Sequence, residues 1–278
     1  VAARHLGTAA WAGREGEGAR YLWPHMFSRV AEAYAARHGL AREHLAAFAR
    51  HAFARARLNP LAQTRGWRFD PQSFEADDAL NPVVEGLLRR QDCAQVTDGA
   101  AAVVLATGSF LQGRPRRGGR LARVAGWGHR GAGLGLDEKL RRAAGEPYLF
   151  PHLRAAVTDA YRRAGVADAA AVDVFELHDC FSITGLTLLE HLGVAAPGEA
   201  GRAVEDGRLA RVNPGGGLIG GGHPVGATGV RMVLDAARQV TGTAGATQLD
   251  GARTAATLNL GGSATTAVAF VLRQESLA

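Results

Sequence analysis

The stretch Val172-Asp173-Val174-Phe175-Glu176-Leu177-His178-Asp179-Cys180-Phe181 decides the fold. Its first six residues read as a strand, with Val172, Val174, Phe175 and Leu177 mostly buried. Ser182 follows, placed to cap a helix that runs to Glu190 and closes at Gly193. The apolar period therefore changes from strand to helix across His178–Phe181. In open α/β sheets this carboxyl edge of a strand is where ligands bind. The flanks repeat the alternation. Leu121–Gly126 is a short strand candidate. Leu153, Ala156, Val157, Ala160, Tyr161 and Ala164 form one helix face, stopped by Gly165. A glycine-rich loop from Pro214 to Gly226 opens a helix from about Thr228 to Val240. Thr254–Leu260 and Ala264–Leu272 are strand-like and joined at Gly261-Gly262 as a hairpin. The order predicts a layered α/β domain.

The front of the chain reads differently. Residues 1–24 lack clear periodicity. Phe27, Val30 and Tyr34 predict a helix ended by Gly39. Leu45, Phe48, Ala49, Ala52 and Phe53 predict another, ending before Asn59-Pro60. Residues 57–80 read as a surface excursion, Val83–Arg90 as a helix, and Ala100–Ala106 as a buried helix or strand. Gly108–Gly119 looks like a linker. Asp98-Gly99-Ala100 before Val103-Val104-Leu105 echoes Gly261-Gly262-Ser263 before Val268-Ala269-Phe270-Val271, which suggests a duplicated glycine turn feeding a strand.

Composition narrows the function class. The 278 residues are 47% hydrophobic and 21% charged, within the globular range, so a disordered or collagen-like chain is excluded. No run approaches the roughly 20 apolar residues of a membrane span. Two cysteines cannot build a disulfide framework, which points to a reducing, cytoplasmic setting. The net charge is +6, yet aromatics are only 6% and the arginines are dispersed, apart from Arg114, Arg116, Arg117, Arg120 and Arg123. Nucleic acid binding would want one basic face with stacking aromatics, so a phosphate-bearing small molecule fits better. The first residue is Val1, with no signal-peptide pattern behind it, and a front truncation is expected.

Three constellations can carry chemistry. In His178-Asp179-Cys180-Phe181 the imidazole suits proton transfer, and a thiol near a helix N-terminus is drawn toward thiolate; a buried inert cysteine and a satisfied core histidine are the plain alternative. In Asn213-Pro214 through Gly222-His223-Pro224-Val225-Gly226-Ala227-Thr228-Gly229, glycines let a ligand approach the backbone beside one histidine. The following helix N-terminus favours negative charge and a neutral imidazole. The loop lacks the Lys-Ser/Thr of a phosphate-binding Walker loop and the acidic partner of a dinucleotide fingerprint. In Asn259-Leu260-Gly261-Gly262-Ser263-Ala264 the glycine amides can serve an oxyanion, or simply make a hairpin turn. Cys93, His178, Cys180 and His223 lack zinc-type spacing, so no metal is expected.

Together these segments resemble the thiolase superfamily, specifically the sterol-carrier-protein-type thiolases and acetyl-CoA acetyltransferase-like proteins. Trp23-Pro24-His25-Met26-Phe27 and Asp98-Gly99-Ala100-Ala101 match more weakly. The resemblance implies an α/β thiolase fold, layered α-β-α-β-α, with its first half truncated. Residues 1–118 would be a partial N-terminal half with a helical loop region, and 119–278 the C-terminal half. It implies acyl transfer between coenzyme A thioesters, by 3-oxoacyl-CoA thiolysis or the reverse Claisen condensation, with no tightly bound cofactor and the coenzyme A thioester as substrate. It implies His178, Cys180 and His223 as catalytic residues. His178, His223, Gly261 and Gly262 would form oxyanion holes, and His25, Met26, Gly222 and Pro224 would contact the substrate. In that scheme His223 activates the nucleophile and helps bind the thioester oxygen, while Cys180 is the general acid/base. A homodimer or a complementary polypeptide is the implied assembly.

The family nucleophile lies upstream of the Trp-Pro-His-Met-Phe segment, which here begins at Trp23, and Cys93 does not replace it. Cys93 is expected in the core. The leading expectation is therefore a chain with the acid/base half of a thiolase site and no attacking thiol. The first alternative is a thiolase-like retro-aldolase acting on a 3-hydroxyacyl-CoA of a steroid side chain, a type that works with an OB-fold acyl-CoA-associated partner. The second is a non-catalytic acyl-CoA-binding subunit.

Overall fold

A computed structural model describes residues 5–111 and 119–276. Its centre is a four-stranded sheet of β3 (Arg120–Gly131), β4 (Val174–Leu177), β5 (Thr254–Gly261) and β6 (Thr266–Ser276), in the order β3-β6-β5-β4. β5 and β6 form the expected antiparallel hairpin, and β4 runs parallel to β5. Val212 adds one parallel bridge to Phe175 on the outer side of β4.

Side chains alternate between the two faces of the sheet. Ala256, Leu258, Ala269 and Val271 face the core with helix α4 (Pro151–Ala164) and helix α5 (Ser182–Leu192). Val174, Ala255 and Leu272 face Ala236 and Val240 of helix α8 (Thr228–Thr241). Helices α1 (Leu22–His38) and α2 (Arg42–Ala56) pack outside α5, with Phe27 stacked on Phe181 at a centroid distance of 4.7 Å. The described residues thus hold one such sheet with helices on both faces.

Strand β3 runs on to Gly131, well beyond the Gly126 expected from sequence. Gly126 and Gly128 are close-approach sites rather than breakers. A Cβ at Gly128 would lie 1.8 Å from the carbonyl oxygen of Ala156, and one at Gly126 would lie 2.0 Å from that of Ala160. The glycines let the backbone of α4 sit directly on the strand. β4 begins at Val174, two residues later than expected, because Ala169–Ala171 forms a 3-10 turn that ends at Val172.

Other expectations fail. Val83–Arg90 is not a helix: β1 (Val83–Glu85) and β2 (Leu88–Arg89) form a small hairpin. Gly86 turns between them at φ +48°, a left-handed conformation that breaks a helix, and the Leu87 amide donates to Ser28 Oγ at 2.9 Å. Ala100–Ala106 is neither helix nor strand, with Val104 97% and Leu105 78% exposed. It pairs with no strand among the described residues, so the proposed echo of β6 at Val103–Leu105 does not hold. Within Gly108–Gly119, Gly108–Leu111 makes one helical turn and residues 112–118, with Arg114, Arg116 and Arg117, lie outside the described residues. Ser182 does not cap α5. It is the first helical residue, and its hydroxyl donates to Asp92 at 2.7 Å. Buried Asp92 also pairs with Arg42, so one carboxylate joins α2 to the start of α5.

Candidate active site

The site forms where β4 ends. Asn213 clamps that end through both arms of its amide: the Leu177 amide donates to Oδ1 at 2.8 Å, and Nδ2 donates to the Leu177 carbonyl at 3.1 Å. The His178 amide continues the ladder to Leu258. The His178 side chain is buried and its Nδ1 lies 2.6 Å from Asn259 Oδ1, near the end of β5. With the oxygen on that side, Nδ1 carries the proton and Nε2 is left as an acceptor.

The glycine loop contributes the second imidazole. It contains a short helix, α7 (Gly217–Gly221), and then Gly222 at φ +100°, which turns the chain into His223. The His223 amide donates to the Gln95 carbonyl at 3.0 Å, and the Thr97 amide donates to the His223 carbonyl at 3.2 Å. His223 Nδ1 meets the Thr228 hydroxyl at 2.7 Å. A hydroxyl can donate there, leaving Nε2–H free to donate elsewhere. The two rings meet edge to face, with centroids 5.2 Å apart and planes at 89°.

Electrostatics keep both rings neutral. Burial lowers His178 to about 4, the Asn259 hydrogen bond opposes the shift, and the Arg231 charge adds to it. Burial lowers His223 to about 3, followed by the nearby His178 and Arg231. Of the two sequence readings of Cys180, burial favours the protonated thiol over the thiolate. Burial pushes its thiol up to about 12, against the hydrogen bond with Thr184 at 3.6 Å, so the thiol stays protonated although it precedes α5. Cys93 is half-buried and its thiol is also raised by burial. The segment after it borders the site, since the Ala94 amide donates to the Cys180 carbonyl at 2.9 Å.

The remaining candidates are placed as follows. Gly261 ends β5 opposite Thr266 and Gly262 turns at φ +60°, while Asn259, two residues earlier in β5, is the residue bonded to His178. Gly222 lies against Gln63 and Thr97, where a Cβ would fall 2.7 Å from Gln63 Cγ. Pro224 packs on Gly99 and lines a cavity of about 630 Å³. That cavity, also walled by Glu176, Arg231 and Asp235, is bordered by none of His178, Cys180 and His223. His25 Nδ1 stands 4.0 Å from Glu85 Oε2, and Met26 is fully buried in the core. Among the described residues, no group of three or more His, Cys, Asp or Glu side chains could hold a metal ion, and no helix is long and apolar enough to cross a membrane. Sequence reasoning named the imidazoles and missed their partners, Asn259 and Thr228, although both stand inside the motifs that drew attention.

The sheet with its flanking helices has the thiolase-type fold. Residues 139–274 match the family described as Thiolase C-terminal domain-like. It is 30% identical over 265 residues to an acetyl-CoA acetyltransferase of Methanothermobacter thermautotrophicus, covering 90% of this chain and 63% of that protein. It is 30% identical over 244 residues to human sterol carrier protein 2, covering 86% of this chain and 43% of that protein. The chain therefore spans roughly half to two thirds of the length of these relatives. Among solved structures, an Ltp2-ChsH2(DUF35) aldolase superposes with a TM-score of 0.72 at 20% identity, over 97% of this chain and 67% of that one. The Acat5 thiolase from Ascaris suum, solved with coenzyme A, gives 0.60 at 21%, over 89% of this chain and 60% of that one. At these identities the structural likeness concerns the fold.

Proposed function

We propose that this chain supplies the acid/base and oxyanion-binding part of a site for acyl transfer between coenzyme A thioesters. The observation that carries the reading is the pair of neutral imidazoles from two separate loops, buried His178 and half-buried His223, 5.2 Å apart. A neutral imidazole in a buried site polarises a carbonyl without first losing a charge to solvent. His223 Nε2–H donates to the thioester oxygen while the Thr228 hydroxyl holds Nδ1. Cys180 is the proton carrier. When an acyl acceptor other than this chain's two thiols bonds the 3-oxo carbon of a 3-oxoacyl-CoA, the C2–C3 bond breaks, its electrons pass to C2 as an enolate, and the Cys180 thiol gives that carbon its proton. In condensation the resulting thiolate takes the proton back.

Neither thiol of this chain is the acyl acceptor, since burial raises both. The chain alone is expected to show no coenzyme A-dependent cleavage of a 3-oxoacyl-CoA and no acylated protein. It is expected to exchange the C2 protons of acetyl-CoA with deuterium from solvent. Replacing Cys180 by Ala is expected to lower that exchange by about 10²- to 10⁴-fold, the usual worth of a positioned acid/base. Exchange no faster than buffer, or a burst of acylated protein, overturns the reading.

The same raised thiols favour a second reading, a retro-aldol cleavage that needs a base and no covalent sulfur. Release of an aldehyde or ketone from a 3-hydroxyacyl-CoA separates it from thiolysis.

A further inference from the structure

Asp179 stands between His178 and Cys180 in sequence, yet its carboxyl group reaches toward the glycine loop. The residue is fully buried, and Oδ1 accepts the Leu218 amide at 2.7 Å. Leu218 is the second residue of α7, whose free amides make its start a natural partner for a carboxylate. The space for the carboxyl exists because residue 217 is glycine. A Cβ there would lie 2.4 Å from each Asp179 oxygen and 2.3 Å from Asn213 Nδ2, and Gly217 holds φ +59°. From the other side, Arg231 Nη2 donates to the Gly217 carbonyl at 3.2 Å, while Nη1 bonds Asp235 at 3.0 Å.

The rest of α7 has no room to shift. A Cβ at Gly216 would fall 2.8 Å from that of Ala56, and one at Gly220 would fall 2.4 Å from the Ala52 carbonyl oxygen. The short helix therefore lies on the backbone of α2, with its start gripped by a carboxylate and a guanidinium. Two residues beyond its end comes His223. His178 is covalently next to Asp179, so the carboxyl–Leu218 bond ties the start of α7 directly to the loop that bears the first imidazole.

We infer that Asp179 is a positioning residue: through Leu218 and Gly217 it holds the glycine loop at the register that brings the His223 ring onto His178. Asp179 touches neither ring and acts through α7. The inference rests on reading His223 as a working group of the site, but its test does not depend on turnover.

The test is NMR of the histidine rings in the whole 278-residue chain. The wild-type protein is expected to give one set of His223 ring signals with a single tautomer, fixed by Thr228. In Asp179→Ala that set is expected to shift and divide, with the tautomer no longer single. Asp179→Asn keeps an oxygen for the Leu218 amide and is expected to restore the single set. Gly217→Ala keeps Asp179 but occupies the carboxyl's space, and is expected to give the Asp179→Ala signature. If Asp179→Ala does not fold, the last two variants carry the comparison. Unchanged His223 signals in a folded Asp179→Ala or Gly217→Ala protein overturn the inference, as does an Asn variant as perturbed as the Ala one. Absence of proton exchange in a wild-type protein whose ring signals behave as expected counts against the catalytic reading alone.

Discussion

The ring of Phe48 lies directly over Gly185: a Cβ at Gly185 would fall 2.2 Å from Phe48 Cζ. Phe48 is buried to within 1% in α2, and Gly185 sits in the first turns of α5, three residues after Ser182. The glycine is therefore a seat for an aromatic ring and sets how closely α2 approaches α5. Gly185→Ala gains up to about 1 kcal/mol of helix propensity. It also drives a methyl group into a ring with nowhere to go, and overpacking of this kind costs about 1–3 kcal/mol. The variant is expected to be less stable in urea unfolding, and Phe48→Leu in the same background is expected to recover part of the loss. A Gly185→Ala protein as stable as the parent would show that the two helices can part without cost.

Much of this was legible in the sequence, for reasons that differ by element. α4 was legible because its apolar residues recur at helical spacing and Gly165 ends it at φ +63°. The β5–β6 hairpin and the Cys180-bearing edge were legible because local turn chemistry and apolar alternation agree there. Gly126 and Gly128 misled because a glycine that admits a helix and one that ends a strand look alike in one dimension. Val83–Arg90 misled because the deciding contacts, Ser28 with Gly86 and Leu87, lie more than fifty residues away. In the site, the residue types were visible but not what fixes their protonation. Cys180 reads as a thiolate candidate beside a helix N-terminus, and only burial decides that it stays a thiol.

That outcome has a chemical readout. With Cys180 buried and its thiol raised to about 12, and Cys93 raised as well, neither should react quickly with a thiol reagent at pH 8. Labelling of the folded protein is expected to be slow and to reach two equivalents once it is unfolded in denaturant. Prompt labelling of Cys180 in the native protein would remove the ground for treating it as a proton donor.

His191 offers a test of buried imidazoles away from the site. It is fully buried in α5, receives the Phe150 amide on Nε2 at 3.2 Å and donates from Nδ1 to the Thr187 carbonyl at 2.7 Å. Burial first, against those hydrogen bonds, lowers it from 6.5 to about 4. Between these values the unfolded chain carries the proton and the folded one does not, so stability is lost as pH falls through that window. His191→Gln is expected to lower stability at pH 7 but to flatten the pH dependence between 6.5 and 4, by up to about 1.4 kcal/mol per pH unit. Urea unfolding at several pH values measures this, and an unchanged slope would place the acid sensitivity elsewhere.

The last question is which nitrogen of His178 carries the proton, because it decides what that ring can do. With Asn259 Oδ1 facing Nδ1 at 2.6 Å, the proton sits on Nδ1 and Nε2 accepts; with the amide turned over, Nε2 donates and can join an oxyanion hole. Gly229 bears on the choice, since a Cβ there would lie 2.8 Å from Asn259 Nδ2, so a side chain at 229 would press on that arm of the amide. Asn259→Asp replaces the amide with an acceptor on both sides. If the oxygen faces the ring in the wild-type protein, this variant keeps the Nδ1–H tautomer and raises the ring's pKa from about 4, because a carboxylate now faces the protonated form. If the amide nitrogen faces the ring, the variant switches the tautomer instead. Ring nitrogen shifts of His178 in the two proteins distinguish the cases, and the expected result is the same tautomer in both. A switch would make His178 an oxyanion donor beside His223, and retention leaves His223 as the donor of the pair.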